Sequence, residues 1–387
     1  MILSKKMGEL SSAIFSDLDR KKAELIASGI DVIDFSIGTP DMPPSTIVIE
    51  KLVNECSKAE NYKYAINDSK ELLAAVINWY SRRYSVELKE DEVVSLLGSQ
   101  SGFTELALSV IDPGDIVLTP DPGYPIFSIA PLLAGAEIHK MPLLKENNYL
   151  IDFDAIDKQI ATKAKLMIVS YPNNPTATIA PREFYIKLVK FAKDNDIIVL
   201  HDNAYSELIF DGSIGESFLS IPGAKEVGVE FNSLSKTYNV TGCRIAFAVG
   251  NKEIIKALKT LKSHVDYGMF VPFQKVAIEL LSCKQEEVSL VRETYHKRRD
   301  LLINGLNNIG WTMDKSQGSM FVWAPIPAKY SSSLKFTMDL IEKAGVIVVP
   351  GISFGHQGEG FVRIALVQQE DKILKAIENI KNSGILL

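Results

Sequence analysis

The sequence predicts an α/β fold in which a large, doubly wound, mostly parallel sheet is joined to a smaller α+β domain. Two apolar runs in the middle of the chain, Leu166–Val169 and Ile197–Leu200, show no alternation, as in strands buried on both faces. Between them, residues 181–194 place apolar side chains at helical spacing and begin with a proline, which fits a first helical position. Strand, helix and strand in this order form a βαβ unit with parallel strands.

The same alternation continues on both sides of this unit and sets the predicted domain limits. We assign residues 50–284 to a large domain and residues 285–387 to a small one, which residues 1–49 are expected to join. The further predicted strands are Val93–Leu97, Ile116–Leu118, Val227–Phe231, Ile245–Val249, Ser319–Trp323, Val346–Val349 and Phe361–Leu366. The further predicted helices are Gly102–Ile111, Lys252–Lys262, 285–309, Leu334–Ala344 and one from Glu370.

The composition argues against several classes of protein. The chain has 387 residues, and 42 Lys and Arg against 48 Asp and Glu give it a net charge of −6. That slight acidity argues against a general nucleic-acid binder, which needs a basic face. No apolar run approaches the roughly 18 residues of a membrane span. Three scattered cysteines fit a reducing compartment, and they fit neither a disulfide framework nor a Cys-based zinc site. We therefore expect a cytoplasmic enzyme without a metal.

Polar residues follow four of the predicted strands, and ligands of open parallel sheets bind beyond such strand ends. Ser99 and Gln100 lie in a Gly/Ser turn before a helix, where exposed N–H groups favour a phosphate. Asn174 lies in a rigid turn with two prolines. Asp202 follows a buried strand, where a carboxylate must be paired. Taken singly, these segments fit an ordinary strand–helix turn, a plain tight turn and a helix N-cap as well.

The fourth strand end carries a lysine, and one cofactor accounts for the whole set. Lys236 lies between serines, and Arg244 follows eight positions later. Pyridoxal phosphate needs a lysine for its aldehyde and an aspartate that keeps its pyridinium nitrogen protonated. Its phenolic oxygen needs a hydrogen-bond donor, and its phosphate needs hydroxyl, amide and guanidinium donors. The sequence therefore predicts a pyridoxal-phosphate site at this edge of the sheet.

Five motifs, in the expected order, resemble those of the class I/II aminotransferases, which are fold-type-I pyridoxal-phosphate enzymes. The resemblance extends from Ile37 to Leu366, nearly the whole chain, and includes PDPGYP, YPNNPT, HDNAYSE and FNSLSKTYNVTG. Within the family, these motifs are most similar to those of the branch that contains the LL-diaminopimelate, aspartate and alanine aminotransferases. The resemblance implies a two-domain, α/β fold and pyridoxal 5′-phosphate as the cofactor.

The resemblance also implies a role toward the cofactor for each matching residue. Lys236 would hold the cofactor as a Schiff base and then act as the general base. Asp202 would pair with the pyridinium nitrogen, and Tyr205 and Asn174 would hydrogen-bond to the phenolic oxygen. Tyr124 would stack on the ring, although on its own it fits a core aromatic residue. The residues implied for the phosphate are Ser99, Gln100, Ser233 and Arg244.

For the substrate, the resemblance implies Arg363, whose guanidinium would bind the α-carboxylate in a bidentate manner, near Asn174. Without the resemblance, Arg363 would be interpreted as a surface charge. Gly38 would let its backbone approach the same carboxylate. Tyr64 would reach the phosphate of a neighbouring subunit, so the enzyme is expected to be a homodimer with active sites at the interface.

Some positions depart from the family pattern. Ala177 stands where glycine is usual and Cys243 where tryptophan is usual, but neither residue would supply a needed functional group. Asn67 stands where an acidic residue of the diaminopimelate enzymes would align. The segment 265–270 also differs from the expected pattern, and no second arginine is evident for a distal carboxylate. These differences weaken the interpretation of diaminopimelate as substrate.

We therefore predict an aminotransferase that moves an amino group from an L-amino acid to 2-oxoglutarate or pyruvate by a ping-pong mechanism. A pyridoxal-phosphate C–S β-lyase acting on a sulfur amino acid is the alternative, because it would use the same lysine and aspartate. A sensor domain of a transcription regulator is less well supported, since the motifs begin near residue 37 and leave no room for a helix-turn-helix module. The missing GxGxxG motif argues against a dinucleotide-binding protein.

Overall fold

The computed structural model of the chain describes residues 4–9, 13–29, 31–282 and 285–387. Within these ranges the strands are β1 (Ile33–Asp34), β2 (Val93–Leu97), β3 (Ile116–Asp121), β4 (Glu137–Pro142), β5 (Ala164–Ser170), β6 (Ile198–Asp202), β7 (Gly228–Ser233), β8 (Ile245–Gly250), β9 (Phe321–Pro325), β10 (Val346–Ile347), β11 (Val349–Pro350) and β12 (Phe361–Ala365).

The helices in the same ranges alternate with the strands through the middle of the chain. They are α1 (Lys6–Glu9), α2 (Ala13–Ala27), α3 (Thr46–Cys56), α4 (Lys70–Tyr84), α5 (Ser99–Val110), α6 (Ile126–Ala134), α7 (Lys158–Ala161), α8 (Arg182–Asn195), α9 (Ala224–Val227), α10 (Leu234–Thr237), α11 (Lys252–Val265), α12 (Val271–Ser282), α13 (Glu286–Asn308), α14 (Ser333–Ala344) and α15 (Glu370–Asn382).

The largest sheet has seven strands in the order β2-β8-β7-β6-β5-β3-β4. β8 is antiparallel to both of its neighbours, and the other pairs are parallel. Successive side chains of a strand enter different cores: Met167 and Val169 pack in one hydrophobic cluster, Leu166 and Ile168 in another. Both faces are therefore covered, which is why these strands are continuous apolar runs, and the predicted mostly parallel sheet is confirmed.

The smaller sheets are built from both ends of the chain. β11, β12 and β9 form an antiparallel sheet, and β1 pairs with β10 in parallel. Ile33 and Phe35 of the N-terminal segment share a core with Phe336 and Ile364. Val48, by contrast, packs in the core of the large sheet region. The limits at 49/50 and 284/285 stay predictions, and residue 284 lies outside the described residues.

Some elements differ from the prediction, each for a local reason. Pro181 is extended, with ψ 161°, and caps α8 instead of beginning it. α5 begins at Ser99, because Gly98 adopts a positive φ of 84° and turns the chain directly into the helix. β4 was not predicted, because most of its residues are at least partly exposed and it does not form a continuous apolar run. The predicted strand Val346–Val349 is two short strands with different partners.

Three remaining features bear on the composition arguments. No helix in the described ranges combines the length and apolarity needed to cross a bilayer. Within the same ranges, no group of three or more His, Cys, Asp and Glu side chains could hold a metal ion. Cys56 and Cys243 are free thiols, and Cys283 lies outside the described residues.

Candidate active site

A cavity of about 430 Å³ opens at the carboxyl-terminal edge of the seven-stranded sheet. Nearly all of the site residues predicted from the sequence line this cavity. They are Gly38, Ser99, Gln100, Tyr124, Asn174, Asp202, Tyr205, Ser233, Lys236, Arg244 and Arg363. Tyr64 is not among the lining residues, and its side chain is 82% exposed on the surface beside Tyr267.

The sheet itself brings most of these side chains together. Ser170 at the end of β5 pairs with Asp202 at the end of β6, and Asp202 in turn pairs with Phe231 of β7. β8 is antiparallel to β7, so its first residue lies at the edge where β7 ends. Arg244, directly before β8, therefore reaches the same cavity as Lys236, which follows β7 in α10.

Lys236 is positioned by the short helix α10. The Ser233 hydroxyl accepts a hydrogen bond from the backbone N–H of Ser235 at 3.2 Å and caps the helix. The Lys236 amine donates to the carbonyl oxygen of Gly38 at 2.7 Å. Burial, together with the positive charges of Arg363 and Arg244, lowers the pKa of Lys236 to about 8. Near neutral pH, part of the population therefore carries an uncharged amine, the form that acts as nucleophile or base.

Asp202 ends β6 with only 8% of its surface exposed. Burial raises its pKa to about 7, against the opposing effects of His201 and the backbone N–H of Ala204. Its Oδ1 is buried and has no hydrogen-bond partner among the residues that the structure describes. A protonated ring nitrogen in the cavity would satisfy this oxygen, so the residue fits the pyridinium group of pyridoxal phosphate. The alternative of a helix N-cap is wrong, because turns follow Asp202.

Arg363 lies in β12 and is 6% exposed, so the interpretation as a surface charge is wrong. It donates to Oδ1 of Asn174 at 3.0 Å and to the carbonyl oxygen of Ser36 at 2.8 Å. The rings of Phe321 and Phe354 lie 4.3 Å and 4.7 Å from its guanidinium carbon.

The charge of Arg363 is not balanced by a carboxylate among its described hydrogen-bond partners. Its Nε is buried without a partner. Burial lowers the pKa of the Arg363 guanidinium to about 10. Because a buried cation without a counter-charge is costly, the site is suited to a ligand that brings a carboxylate.

The other end of the cavity is suited to a phosphate. Ser99 and Gln100 occupy the first turn of α5, where backbone N–H groups are unpaired in the helix. The guanidinium of Arg244 packs against Gly98, where a Cβ atom would lie 2.0 Å from its Nη2. Gly98 also has a φ of 84°, which side chains rarely adopt, so this position favours glycine. Ser99, Gln100, Ser233 and Arg244 thus place hydroxyl, N–H and guanidinium donors around one part of the cavity.

Two tyrosines line the wall between these ends. The hydroxyl of Tyr124 lies 3.4 Å from Oε1 of Gln100, and burial raises the pKa of Tyr124. Tyr205 is buried as well, and burial raises its pKa even more strongly. Both phenols are therefore neutral near pH 7 and can donate hydrogen bonds into the cavity.

Sequence reasoning missed several lining residues. Ser235 and Thr241 line the cavity beside Ser233 and Arg244. Both lie in the FNSLSKTYNVTG motif, so the sequence could have identified them as site residues. Ile37 lies in the first motif. Phe321 and Phe354 come from the smaller sheet region, and no local pattern marks them.

The family comparison decides the class of protein. The model for aminotransferase class I and II matches residues 30–380. The chain belongs to this family. An LL-diaminopimelate aminotransferase of Moorella thermoacetica is 44% identical over 382 residues, which cover 98% of this chain and 97% of that protein. An enzyme of the same name from Halothermothrix orenii is 43% identical over 98% of both chains.

Solved structures agree with this family assignment. The substrate-bound BacF structure from Bacillus subtilis has a TM-score of 0.95 at 35% identity, covering 99% of this chain and 98% of that one. A Thermus thermophilus aspartate aminotransferase mutant has a TM-score of 0.92 at 26% identity, covering 99% and 100%. The aminotransferase is thus an α/β protein of fold type I, and its cofactor is pyridoxal 5′-phosphate. The relatives carry aminotransferase names, so the β-lyase alternative gains no support.

Proposed function

We propose that this aminotransferase transfers the amino group of an L-amino acid to a 2-oxo acid, with 2-oxoglutarate or pyruvate as acceptor, in two half-reactions at one site. One observation carries the proposal. The cavity holds the amine of Lys236, an unpartnered carboxylate oxygen of Asp202 and the buried guanidinium of Arg363. Among the described residues, Asp202 Oδ1 and Arg363 Nε have no hydrogen-bond partner, and the Lys236 amine has a lowered pKa. Pyridoxal phosphate and an α-carboxylate are groups that would bind to all three.

Each residue is proposed to perform one task on the cofactor. Pyridoxal phosphate supplies an aldehyde that bonds to amines and a ring that accepts electrons when a Cα–H bond breaks. The amine of Lys236 would hold the cofactor through its aldehyde, and the same amine, when free, would act as the base that takes up and returns the proton at Cα of the substrate. Asp202 would pair with the protonated ring nitrogen, and Tyr205 and Asn174 would donate hydrogen bonds to the phenolic oxygen.

The remaining residues are proposed to fix the two ends of the bound molecules. Ser99, Gln100, Ser233 and Arg244 would hold the phosphate, and Tyr124 would stack on the ring. At the other end, Arg363 binds the substrate carboxylate, with Asn174 and the backbone of Gly38 beside it. Held at two ends, the Cα–H bond would stay within reach of the amine of Lys236, an orientation that can supply a large part of the rate enhancement.

LL-diaminopimelate is the first amino donor to test, because relatives at 44% and 43% identity are named for it. Two features argue against assuming it. Asn67 stands where an acidic residue was expected. Among the described residues that line the cavity, the cations are Lys236, Arg244 and Arg363, all of which the proposed mechanism already uses.

We propose a homodimer in which Tyr64 reaches the phosphate bound by the neighbouring subunit. Tyr64 and Ile66 are 82% and 61% exposed, an unusual state for large apolar side chains so close together. The Tyr64 ring packs on Tyr267, 5.3 Å away between centroids, so the segment is held at the surface. The variant Tyr64→Phe tests the proposal. Sedimentation should still show a dimer, and a binding titration should show that the cofactor binds about 3-fold more weakly. A monomeric wild-type protein would contradict it.

We also propose that the enzyme acts in the cytoplasm. The scattered free cysteines suit a reducing compartment. Fractionation of the source cells would test this location, and recovery of the enzyme outside the cytoplasm would contradict it.

The function is tested with a panel of donors and acceptors. Alanine, aspartate, glutamate, LL-diaminopimelate and an aromatic amino acid are each incubated with 2-oxoglutarate or pyruvate, and the amino product is measured. The holoenzyme should show visible cofactor absorbance, and Lys236→Ala should lose transamination. Intact transamination by Lys236→Ala would contradict the proposal. Release of pyruvate and ammonia from cystathionine without an oxo acid would favour the β-lyase instead.

A further inference from the structure

A second polar cluster is buried behind the cavity. His201 and Glu230 are paired neighbours on β6 and β7, and both have 0% of their surface exposed. His201 directly precedes Asp202, and successive side chains of a strand point to opposite faces. The imidazole therefore lies on the far side of the sheet from the cavity, in contact with the rings of Tyr185 and Phe218. The mechanism proposed above uses neither His201 nor Glu230.

The imidazole connects two elements of the site. Its Nδ1 lies 2.9 Å from Oε2 of Glu230. Its Nε2 lies 3.2 Å from the carbonyl oxygen of Tyr171, with the hydroxyl of Tyr185 at 3.4 Å. Tyr171 begins the turn that contains Asn174. Glu230 lies on β7, the strand that leads to α10 and Lys236. His201 thus links β7 to the turn after β5.

Glu230 is itself held in place from several directions. Its carboxylate accepts hydrogen bonds from the hydroxyl of Tyr80 at 2.9 Å, the hydroxyl of Ser217 at 3.0 Å and the backbone N–H of Phe218 at 2.9 Å. A carboxylate with this many fixed donors cannot reorient freely, so it fixes the imidazole ring. Apolar side chains of similar volume would often stabilise such a core at least as well, so this network is better explained by positional precision than by stability.

We propose that His201, oriented by Glu230, is a positioning residue that fixes Asn174, Asp202 and Lys236 relative to one another. Asn174 lies in the turn that the imidazole contacts, Asp202 directly follows His201, and Lys236 follows Glu230 by six positions. The inference rests on the function proposed above for these three residues. A displacement of about 1 Å in reacting groups can lower a rate about 100-fold, so loss of the link should act on the chemical step.

The test compares two substitutions of His201, one with a short amide that breaks the link and one with a longer amide that restores part of it. The amide of His201→Asn can still face Glu230 but is too short to reach the Tyr171 carbonyl. The holoenzyme of this variant should show a kcat about 10- to 100-fold lower, with KM for the donor within about 3-fold. Its visible cofactor absorbance should change, and its apoprotein should bind pyridoxal phosphate about 10-fold more weakly. The longer His201→Gln should recover part of each loss.

Two further variants keep the inference falsifiable. If His201→Asn does not fold, the nearly isosteric Glu230→Gln should lower kcat in the same direction with a smaller change in Tm. Leu340→Ala, in the core of α14, is the control, because it should lower Tm without changing kcat, absorbance or cofactor affinity.

The outcomes separate the inference from the proposed function. If His201→Asn and Glu230→Gln only lower Tm, as the control does, the positioning role is overturned while the proposed function stands. If Lys236→Ala keeps its transamination activity, the proposed function itself fails.

Discussion

The two ends of the cavity are built in different ways. At the sheet end, Asp202 and Lys236 follow adjacent parallel strands, so strand register sets their spacing. At the far end, Arg363 meets Asn174 and Ser36, which lie 189 and 327 positions away along the chain. One end depends on hydrogen bonds within a single sheet, whereas the other depends on the packing of separate sheets. Changes at the sheet end should therefore act on chemistry, and changes at the far end on substrate binding.

The largest effect is expected for Asp202→Asn at the sheet end. Without the carboxylate, the proton on the cofactor's ring nitrogen loses its partner, and kcat should fall about 10³-fold. The control is Glu105→Gln, another buried carboxylate whose pKa is raised by burial, but which lies in α5 beside Lys262. Its kcat should stay within about 2-fold of the wild type. A loss of less than about 10-fold in Asp202→Asn would contradict the assigned role.

The same substitution should stabilise the apoprotein. Burial raises the pKa of Asp202 from 3.8 to about 7, so its ionised form disfavours the folded state at any pH above both values. Asp202→Asn should therefore raise the free energy of unfolding by roughly 2–4 kcal/mol near pH 8. The gain should disappear below about pH 4, where the carboxyl is protonated in both states. Denaturant titration at the two pH values measures it.

At the far end, Arg363→Lys should lower kcat/KM for the amino donor about 100-fold, mostly through KM. Lysine keeps the charge but cannot bind a carboxylate in a bidentate manner. Arg299→Lys is a matched control, since Arg299 is fully buried in α13 and pairs with Asp211 and Asp300. It should lower Tm and leave kcat/KM unchanged. If both substitutions lowered kcat/KM equally, the proposed role of the far end in substrate binding would be contradicted.

A pH series sharpens the description of the sheet end. Covalent attachment of pyridoxal phosphate to the apoprotein needs the uncharged amine of Lys236, whose pKa is about 8. The uncharged fraction grows as the pH rises, so the rate of attachment should increase roughly 50-fold from pH 6 to pH 8 and level off above about pH 9. Stopped-flow absorbance measures the rate. A rise centred near 10.5, the value of a free lysine, would contradict the effect of burial.

The smallest effect is expected for Arg244→Lys. The planar guanidinium fits against Gly98, and an ammonium group cannot make the same set of bonds to a phosphate. The apoprotein should bind pyridoxal phosphate about 10-fold more weakly. Arg292→Lys, on the partly exposed side of α13, should leave the affinity unchanged. If Arg244→Lys bound pyridoxal phosphate with unchanged affinity, the proposed contact between Arg244 and the phosphate would be contradicted.

The sequence could predict the sheet end because its signals are local. Buried parallel strands are continuous apolar runs, and Asp202 and Lys236 stand two and five positions after two of them, Ile197–Leu200 and Val227–Phe231. Position in the chain was therefore enough to place these side chains at one edge. The boundaries were less accurate: α5 begins earlier than predicted because of the positive φ of Gly98, a backbone property that periodicity does not reveal.

The far end could not be predicted in this way. Arg363 lies in a short strand of a different sheet, and only the family resemblance assigned it to the substrate. The phenylalanines that flank it, Phe321 and Phe354, give no local signal because they meet the guanidinium only when the chain is folded. His201 was visible beside Asp202 in the sequence, but its partner Glu230 becomes apparent only from strand register.

The single reversed strand in the large sheet has a consequence for the spacing of two residues of the proposed cofactor site. β8 returns the chain to the edge where β7 ends, so Arg244 arrives only eight positions after Lys236. A parallel β8 would need a crossover of about a dozen residues or more. Residues 228–250 therefore contain both the lysine proposed to hold the cofactor and the arginine proposed to bind its phosphate. An insertion between Lys236 and Arg244 should therefore impair both proposed functions, because it would change the spacing of the two side chains.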